Sequence, residues 1–187
     1  DNISTDQSKK ILKQFKDKRI KYFKSKKFTS LYKARNLAIS KAKGDYVGFL
    51  DTDDIWKRNK LSEQIKILKK NKNINIIYSN YIYNNQIKGK KFLKFKDKLP
   101  SGLITQKLLN DYKIGILTCL VQRKLLYKLK FNSSYEIIGD FDFFIRASCF
   151  NKIVAIQKPL AEYRAHQNNL SIKKIKVYCN EISEWIE

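Results

Sequence analysis

A mixed α/β fold, with a mainly parallel sheet flanked by helices, is predicted by three features of the chain. Segments whose apolar residues recur at helical spacing alternate with short β-rich runs. One apolar run, "DYVGFLD", has the length of a buried strand and stops on a carboxylate. The 187 residues, 43% of them hydrophobic, suffice for one domain with a hydrophobic core, and no linker or internal repeat divides them.

The opening "DNISTDQSKK" is a polar loop in which Ser4 and Gln7 have capping-box spacing, ahead of Ile11, Leu12 and Phe15 at helical intervals. "IKYF", residues 20–23, reads as a short strand. "TSLYKARNLAISKAKG" places Leu31, Ala34, Leu37, Ala38 and Ala42 on one face and stops at Gly44, which defines a helix. "DYVGFLD" follows as the most buried strand, so strand, helix and strand succeed one another as in a parallel sheet. "KRNKLSEQIKILKKN" is a helix with Leu61, Ile65 and Leu68 inward. "INIIYSNYIY" is the next strand. "NNQIKGKKFLKF" is a turn and an edge strand whose lysines oppose edge-to-edge pairing. A short helix in "SGLITQKLLND", a strand in "IGILTCLVQR" and a helix in "GDFDFFIRASCF" complete the body, with Pro100 and Pro159 punctuating loops. Residues 172–187 form a carboxy-terminal helix with Ile172, Ile175, Cys179, Ile182 and Ile186 roughly on one stripe.

Composition narrows the function classes. No run of roughly 18 apolar residues offers a membrane span and no signal-peptide pattern opens the chain, so the expected compartment is the cytoplasm. Cys119, Cys149 and Cys179 lack paired spacing and read as reduced, mostly buried thiols. The 40 basic and 17 acidic residues give a net charge of +23, which suits an anionic membrane surface or a nucleic acid. Only six of the basic residues are arginine, however. The lysines are scattered among abundant Asn, Ile, Tyr and Phe, the joint bias that AT-rich codons produce, so no specific nucleic acid is expected.

The chemistry concentrates in "LDTDDIW". Asp51, Asp53 and Asp54 repel one another and raise each other's pKa unless a cation or hydrogen-bond donors sit among them. Oxygen ligands without cysteine select hard cations, Mg²⁺ or Mn²⁺, and Mg²⁺ is typically held by one or two carboxylates with substrate phosphates. In open α/β sheets ligands bind beyond the carboxyl ends of the strands, where these residues stand. A solvated turn, or an N-cap from Asp54 to the following helix, would use the same letters. Haloacid-dehalogenase-like phosphatases also end a strand on D-x-D, but want Thr or Val two places after the second Asp, where this chain has Ile55.

"DNISTDQS", "KARNLAISKAKGDYVGFLDTDDIWKRNKLSEQ", "IIGDFDFFIR" and "YRAHQNNLS" stand in the order and approximate spacing of family-2 glycosyltransferases, and the chain resembles that family across residues 1 to 171. The resemblance implies a GT-A (Rossmann-like) fold. It also implies transfer of a sugar from a nucleotide-diphosphate sugar, UDP-linked, with inversion and with Mn²⁺ or Mg²⁺ on the diphosphate. The acceptor it implies is a glycan or lipid-linked glycan of bacterial surface polysaccharide synthesis, such as lipopolysaccharide. The enzyme would work at the inner face of the cell membrane, in peripheral contact with it. Carried over by position, Asp1 and Asn2 match the acidic pair beside the nucleotide base, the second place being Asn where the family more often has Asp. Arg35 and Asn36 match the "ARN" element near the nucleotide. Asp51 and Asp53 match contacts to the nucleotide-sugar, Asp53 and Asp54 the metal ligands, Asp54 foremost as the direct one, and Arg164 a phosphate partner or a partner of Glu162. His166 matches a third metal ligand or is an ordinary loop residue.

Inverting transfer needs a carboxylate to take the proton of the attacking hydroxyl. In "GDFDFFIR" a helix would put Asp142 four residues before Arg146, its natural ion-pair partner, and would leave Asp140 flanking the packed face in the first turn. Asp140 is therefore the predicted base, with an N-cap as its plainer role. Gly139 stands where the family commonly has Glu.

The family's opening βαβ unit, which takes roughly 30 residues, does not precede "DNIST", and the chain contains no methionine. An amino-terminally truncated catalytic domain, lacking the first strands and one wall of the nucleotide pocket, is the expectation. The alternative from another class is a lysine-rich module that binds nucleic acid or anionic membrane without catalysis, its affinity steeply salt-dependent and indifferent to Asp53 and Asp54.

Overall fold

The computed structural model describes residues 1–187, the side chain of Ser171 excepted. Its elements in chain order are α1 (Ser8–Gln14), α2 (Leu31–Lys41), β1 (Tyr46–Gly48), β2 (Ile55–Trp56), α3 (Lys60–Lys70), β3 (Ile76–Asn85), β4 (Lys90–Leu93), α4 (Thr105–Asn110), β5 (Leu120–Gln122), α5 (Arg123–Leu129), α6 (Gly139–Ser148), β6 (Ile153–Ala165), α7 (Leu170–Lys173) and α8 (Ile175–Ile186). The strands follow the order β1-β5-β3-β6-β2, with β4 beside β3.

The mixed α/β class holds, but parallel pairing does not dominate. Only β3 and β6 pair in parallel among the described residues, from Ile76↔Ile153 to Asn85↔Ala165. Every other pairing, β1 with β5, β5 with β3, β3 with β4 and β2 with β6, is antiparallel. Because β5 enters between β1 and β3 against both, β1, β3 and β6 still run in one direction. Their carboxyl ends share one edge of the sheet, and that edge carries the site.

The strand β6 escaped sequence reading because Pro159 interrupts it. Proline donates no ladder hydrogen bond and is tolerated in sheets at edges and bulges; here it lies opposite Asn80 where the β3–β6 register shifts. Conversely, "IKYF" forms no strand. Residues 20–23 are held instead by Asp1, whose amino group donates to Phe23 O and whose carbonyl accepts the Ser25 N–H. The Ser4 capping box is absent too: Ser4 N–H turns to Asp1 Oδ1, and α1 begins at Ser8 behind an Asp6 that accepts its N–H.

Two apolar layers sandwich the sheet. Tyr32 and Ile39 of α2, Leu125 and Leu126 of α5, and Phe143 and Phe144 of α6 pack with Ile76 and Tyr78 on one face. Leu68 of α3 packs with Ile77, Leu120, Ile156 and Leu160 on the other. Each fully buried Phe contributes about 1.5–3 kcal/mol relative to exposure. The strand β1 is only half-buried, so β3, not β1, is the most buried strand. Cys119 is buried, whereas Cys149 and Cys179 are exposed, and all three are free.

The face of α3 differs from the one its leucines suggested. Leu61 is exposed, while Lys60 is fully buried without a carboxylate partner. Lys60 Nζ lies 2.8 Å from Gln64 Oε1, 3.5 Å from Cys119 O and 4.2 Å from the centre of the Trp56 ring. Burial pushes its pKa down to about 8. At pH below 8 the ammonium is charged in the folded and unfolded chains alike. Above that, up to the unfolded value of 10.5, the unfolded chain binds the extra proton, so stability rises with pH. Urea melts at about pH 7.5 and about pH 9.5 should show a gain on the order of 1–2 kcal/mol that Lys60→Met lacks. An equal gain in both proteins would place the titration on another group.

Candidate active site

The acidic stretch forms a turn beyond β1, closed by the Asp54 N–H donating to Asp51 O at 3.1 Å. Its three carboxylates go three ways, which relieves their mutual repulsion. Asp51 accepts Arg35 Nη2 on both oxygens, at 2.8 and 2.9 Å. Asp53 Oδ2 lies 3.1 Å from His166 Nε2 and accepts Asn169 Nδ2 at 3.2 Å. Asp54, almost buried, accepts the Arg164 N–H at 3.0 Å. Burial raises the Asp54 pKa to about 6, the bond from Arg164 opposing and the charges of Asp53 and Asp51 adding. Asp54 does not cap α3, whose N-cap position belongs to Asn59.

The structure brings two of the three expected metal ligands together. His166 is held by its own backbone, its N–H donating to Asn169 Oδ1 at 2.6 Å and its Nδ1 accepting the Asn168 N–H at 3.1 Å. An accepting Nδ1 assigns the neutral ring's proton to Nε2, which then donates to Asp53. Asp54 faces Arg164 instead of this pair, and among the described residues no three His, Cys, Asp or Glu side chains converge as metal ligands. Asp53 alone among the three offers carboxylate oxygens to a hard cation without breaking a bond that holds the turn. That fits the sparse protein ligation of Mg²⁺, which relies on substrate phosphates for the remainder.

Beside the turn opens a cavity of about 250 Å³ between α2 and the amino-terminal loop, lined by Asp1, Asn2, Leu31, Ala34, Arg35 and Asp51 among others. Four of the residues expected near the nucleotide thus meet. The apolar face of α2, with Leu31, Ala34, Leu37 and Ala38, is a wall of this cavity. Asn2 is set by a reciprocal pair, donating to Thr29 O at 2.7 Å and accepting the Thr29 N–H at 3.1 Å. Asn36 leaves the set. Its amide grips the Phe131 backbone, at 2.8 and 3.0 Å, and stitches α2 to the segment after α5. Arg164 makes no ion pair with Glu162: its Nε donates to Asp53 O and its Nη2 to Thr52 O. Glu162 is held by Lys91 and Asn84, which keep its pKa low.

Asp140 lies in the first turn of α6, partly open to solvent, and does not occupy the N-cap position, which is Ile138. Burial raises its pKa, opposed by the nearby Arg35 charge and by the Tyr32 hydroxyl. Tyr32, which no sequence argument singled out, donates to Ile137 O at 2.6 Å and lies 3.1 Å from Asp140 Oδ1. The Arg35 guanidinium sits 5.4 Å from the Tyr32 ring centre. Their spacing of three residues on one helix was the available signal. Asp142 pairs with Arg146 at 2.7 Å, as the spacing predicts, and is itself buried against Trp185, while Arg146 stays half-exposed.

The model for glycosyl transferase family 2 matches residues 1–130. The chain is 35% identical over 182 residues to the Escherichia coli UDP-Glc:alpha-D-GlcNAc-diphosphoundecaprenol beta-1,3-glucosyltransferase WfgD, covering 94% of this chain and 68% of that protein. It is 30% identical over 181 residues to the putative teichuronic acid biosynthesis glycosyltransferase TuaG of Bacillus subtilis, covering 94% and 69%. In fold it is similar to S. aureus TarS, whose crystal structure was solved in complex with UDP-GlcNAc, with a TM-score of 0.75 at 20% identity over 90% of this chain and 49% of that one.

Proposed function

This chain belongs to glycosyl transferase family 2, and we propose that it transfers a sugar from a UDP-sugar to a glycan or lipid-linked acceptor, with inversion, in bacterial surface polysaccharide synthesis. The reading rests on one juxtaposition: Asp53 beyond β1 and His166 beyond β6 meet 3.1 Å apart on the sheet edge that also carries the Asp1, Arg35 and Asp51 cavity.

In this reading Asp1, Asn2, Arg35 and Asp51 hold the nucleoside, and Arg164 keeps the acidic turn in shape. Asp53, with His166 beside it, presents the diphosphate end. Asp53 would hold Mn²⁺ or Mg²⁺ there, and the cation would supply Lewis-acid stabilisation of charge on the departing diphosphate. The acceptor oxygen attacks the anomeric carbon as the bond to the diphosphate breaks, and Asp140 takes the hydroxyl proton. No helix of the described residues is long and apolar enough to cross a membrane. A lipid-linked acceptor would be met at the inner membrane face through peripheral contact, which the net charge of +23 favours.

Calorimetric titration of UDP with and without Mn²⁺ tests the site. Binding should require the metal, and Asp53→Ala should weaken it by about tenfold or more, the loss of one charge-assisted ligand. Binding that falls steeply with salt and ignores Asp53→Ala would instead support a basic module without catalysis.

A further inference from the structure

Glu181 carries a nearly buried carboxylate, 8% exposed, that none of the chemistry above uses. Its Oε2 accepts the N–H groups of Ile137 at 2.9 Å and Ile138 at 3.0 Å, and its Oε1 accepts that of Glu136. Three consecutive amides therefore converge on one side chain from α8. They belong to the turn that enters α6, whose N-cap residue Ile138 makes no side-chain capping bond. Amides left open at a helix amino terminus favour an anion, and consecutive N–H groups form an anion nest. Glu181 thus anchors the turn that leads into α6, and of the three amides that of the N-cap residue Ile138 is one of the helix's own open donors.

The docking of α8 is organised around this bond. The stripe expected to pack is turned out, with Ile172, Ile175, Cys179 and Ile186 all exposed. What faces the body is Lys174, paired with Glu136, then Glu181, then Trp185, whose ring meets Phe141 edge-on at 4.9 Å. All three reach residues 136–141, on either side of Asp140. From the opposite side Tyr32 holds the same turn through Ile137 O.

We infer that Glu181 is a positioning residue for sugar transfer: by anchoring the amides of residues 136–138 it fixes where the Asp140 carboxylate stands against the acceptor hydroxyl. The inference rests on the transferase reading and on Asp140 as its base. A carboxylate whose only duty was stability would change the folded fraction and leave the chemistry of the folded molecules alone.

The test compares wild type, Glu181→Gln and Glu181→Ala by UDP release from a panel of UDP-sugars with Mn²⁺ and lipid-linked GlcNAc diphosphate acceptors, per folded molecule, across pH. Displacement of a reacting group by about 1 Å costs on the order of 100-fold, so Glu181→Ala should lose about 10- to 100-fold in kcat with donor KM within about twofold. The acid limb of its pH profile should move, and Glu181→Gln, which keeps one carbonyl oxygen as an acceptor, should recover part of kcat. Wild-type kcat and an unmoved acid limb in Glu181→Ala overturn the inference. Should that variant not fold, the same result in a Glu181→Gln protein with weakened protection of the 136–138 amides against hydrogen exchange overturns it equally. A wild-type chain that turns over no UDP-sugar sinks the transferase reading, and this inference with it, before any variant is compared.

Discussion

Replacing Asp140 by Asn should lower kcat by about 10²- to 10⁴-fold, the usual worth of a positioned general base, while leaving UDP affinity within about twofold. Two features of the site set that expectation. Asp142, the other carboxylate in the same turn, is spent on Arg146 and lies buried against Trp185, so it cannot substitute. Asp140 instead retains solvent access beside the Arg35 and Asp51 pair. Asn preserves the shape and removes only the proton acceptor. The pH dependence supplies a second reading. A base works ionised, and burial holds the Asp140 pKa above the ordinary carboxylate value. Activity should therefore fall, as pH is lowered, at a higher pH than an exposed aspartate would give, and the residual activity of Asp140→Asn should lack that limb. Near-wild-type turnover in the variant would move the base elsewhere.

Gly139→Ala should destabilise the fold by about 2 kcal/mol and lower Tm by roughly 4–8 °C, although alanine is ordinarily the better helix residue by about 1 kcal/mol. A Cβ at position 139 would lie 2.6 Å from two atoms of the Tyr32 ring. The ring cannot swing aside cheaply, because its hydroxyl is bonded to Ile137 O and its body packs against Phe131. The same contact accounts for glycine at this position: in this chain Tyr32 fills the space. Thermal melts of Gly139→Ala in wild-type and Tyr32→Ala backgrounds separate the causes. In the second background the alanine should become neutral or stabilising, a coupling of about 2 kcal/mol. An equal loss in both backgrounds would show that the ring is not what excludes a side chain.

Relatives and partners of these residues explain how far the chain could be read in advance. Patterns local in sequence were legible: the helices α2, α4 and α6, the strand β3, the lysine-rich edge strand β4, the i,i+4 pair of Asp142 with Arg146, and the carboxylates grouped beyond β1. Each depends on periodicity or spacing within about two turns, where neighbours in sequence are neighbours in space. The family resemblance extended this to residues far apart, and the structure brings Asp53 to His166 and Asp1 to Arg35 and Asp51.

Whatever depended on which long-range partner a side chain meets was settled only by tertiary structure. Lys60 and Glu181 are charged letters that hydropathy assigns to the surface. Lys60 is buried against Gln64 Oε1, the Trp56 ring and the more distant Cys119 carbonyl, and Glu181 is buried where the amides of residues 136–138 supply its hydrogen bonds. Asn36 and Arg164 look like ligand contacts by position, yet the Asn36 amide is taken by the Phe131 backbone and Arg164 Nε and Nη2 donate to the Asp53 and Thr52 carbonyls. The strand β6 reads as a broken loop until β3 is laid beside it and the bulge absorbs Pro159. The sequence by itself determined the fold class, the family and the acidic edge of the sheet, because these follow from local periodicity and motif order. Which carboxylate meets His166, which one holds a turn and which one stays partly open to solvent was decided by packing, since hydrogen-bond partners separated by 100 residues leave no spacing to read.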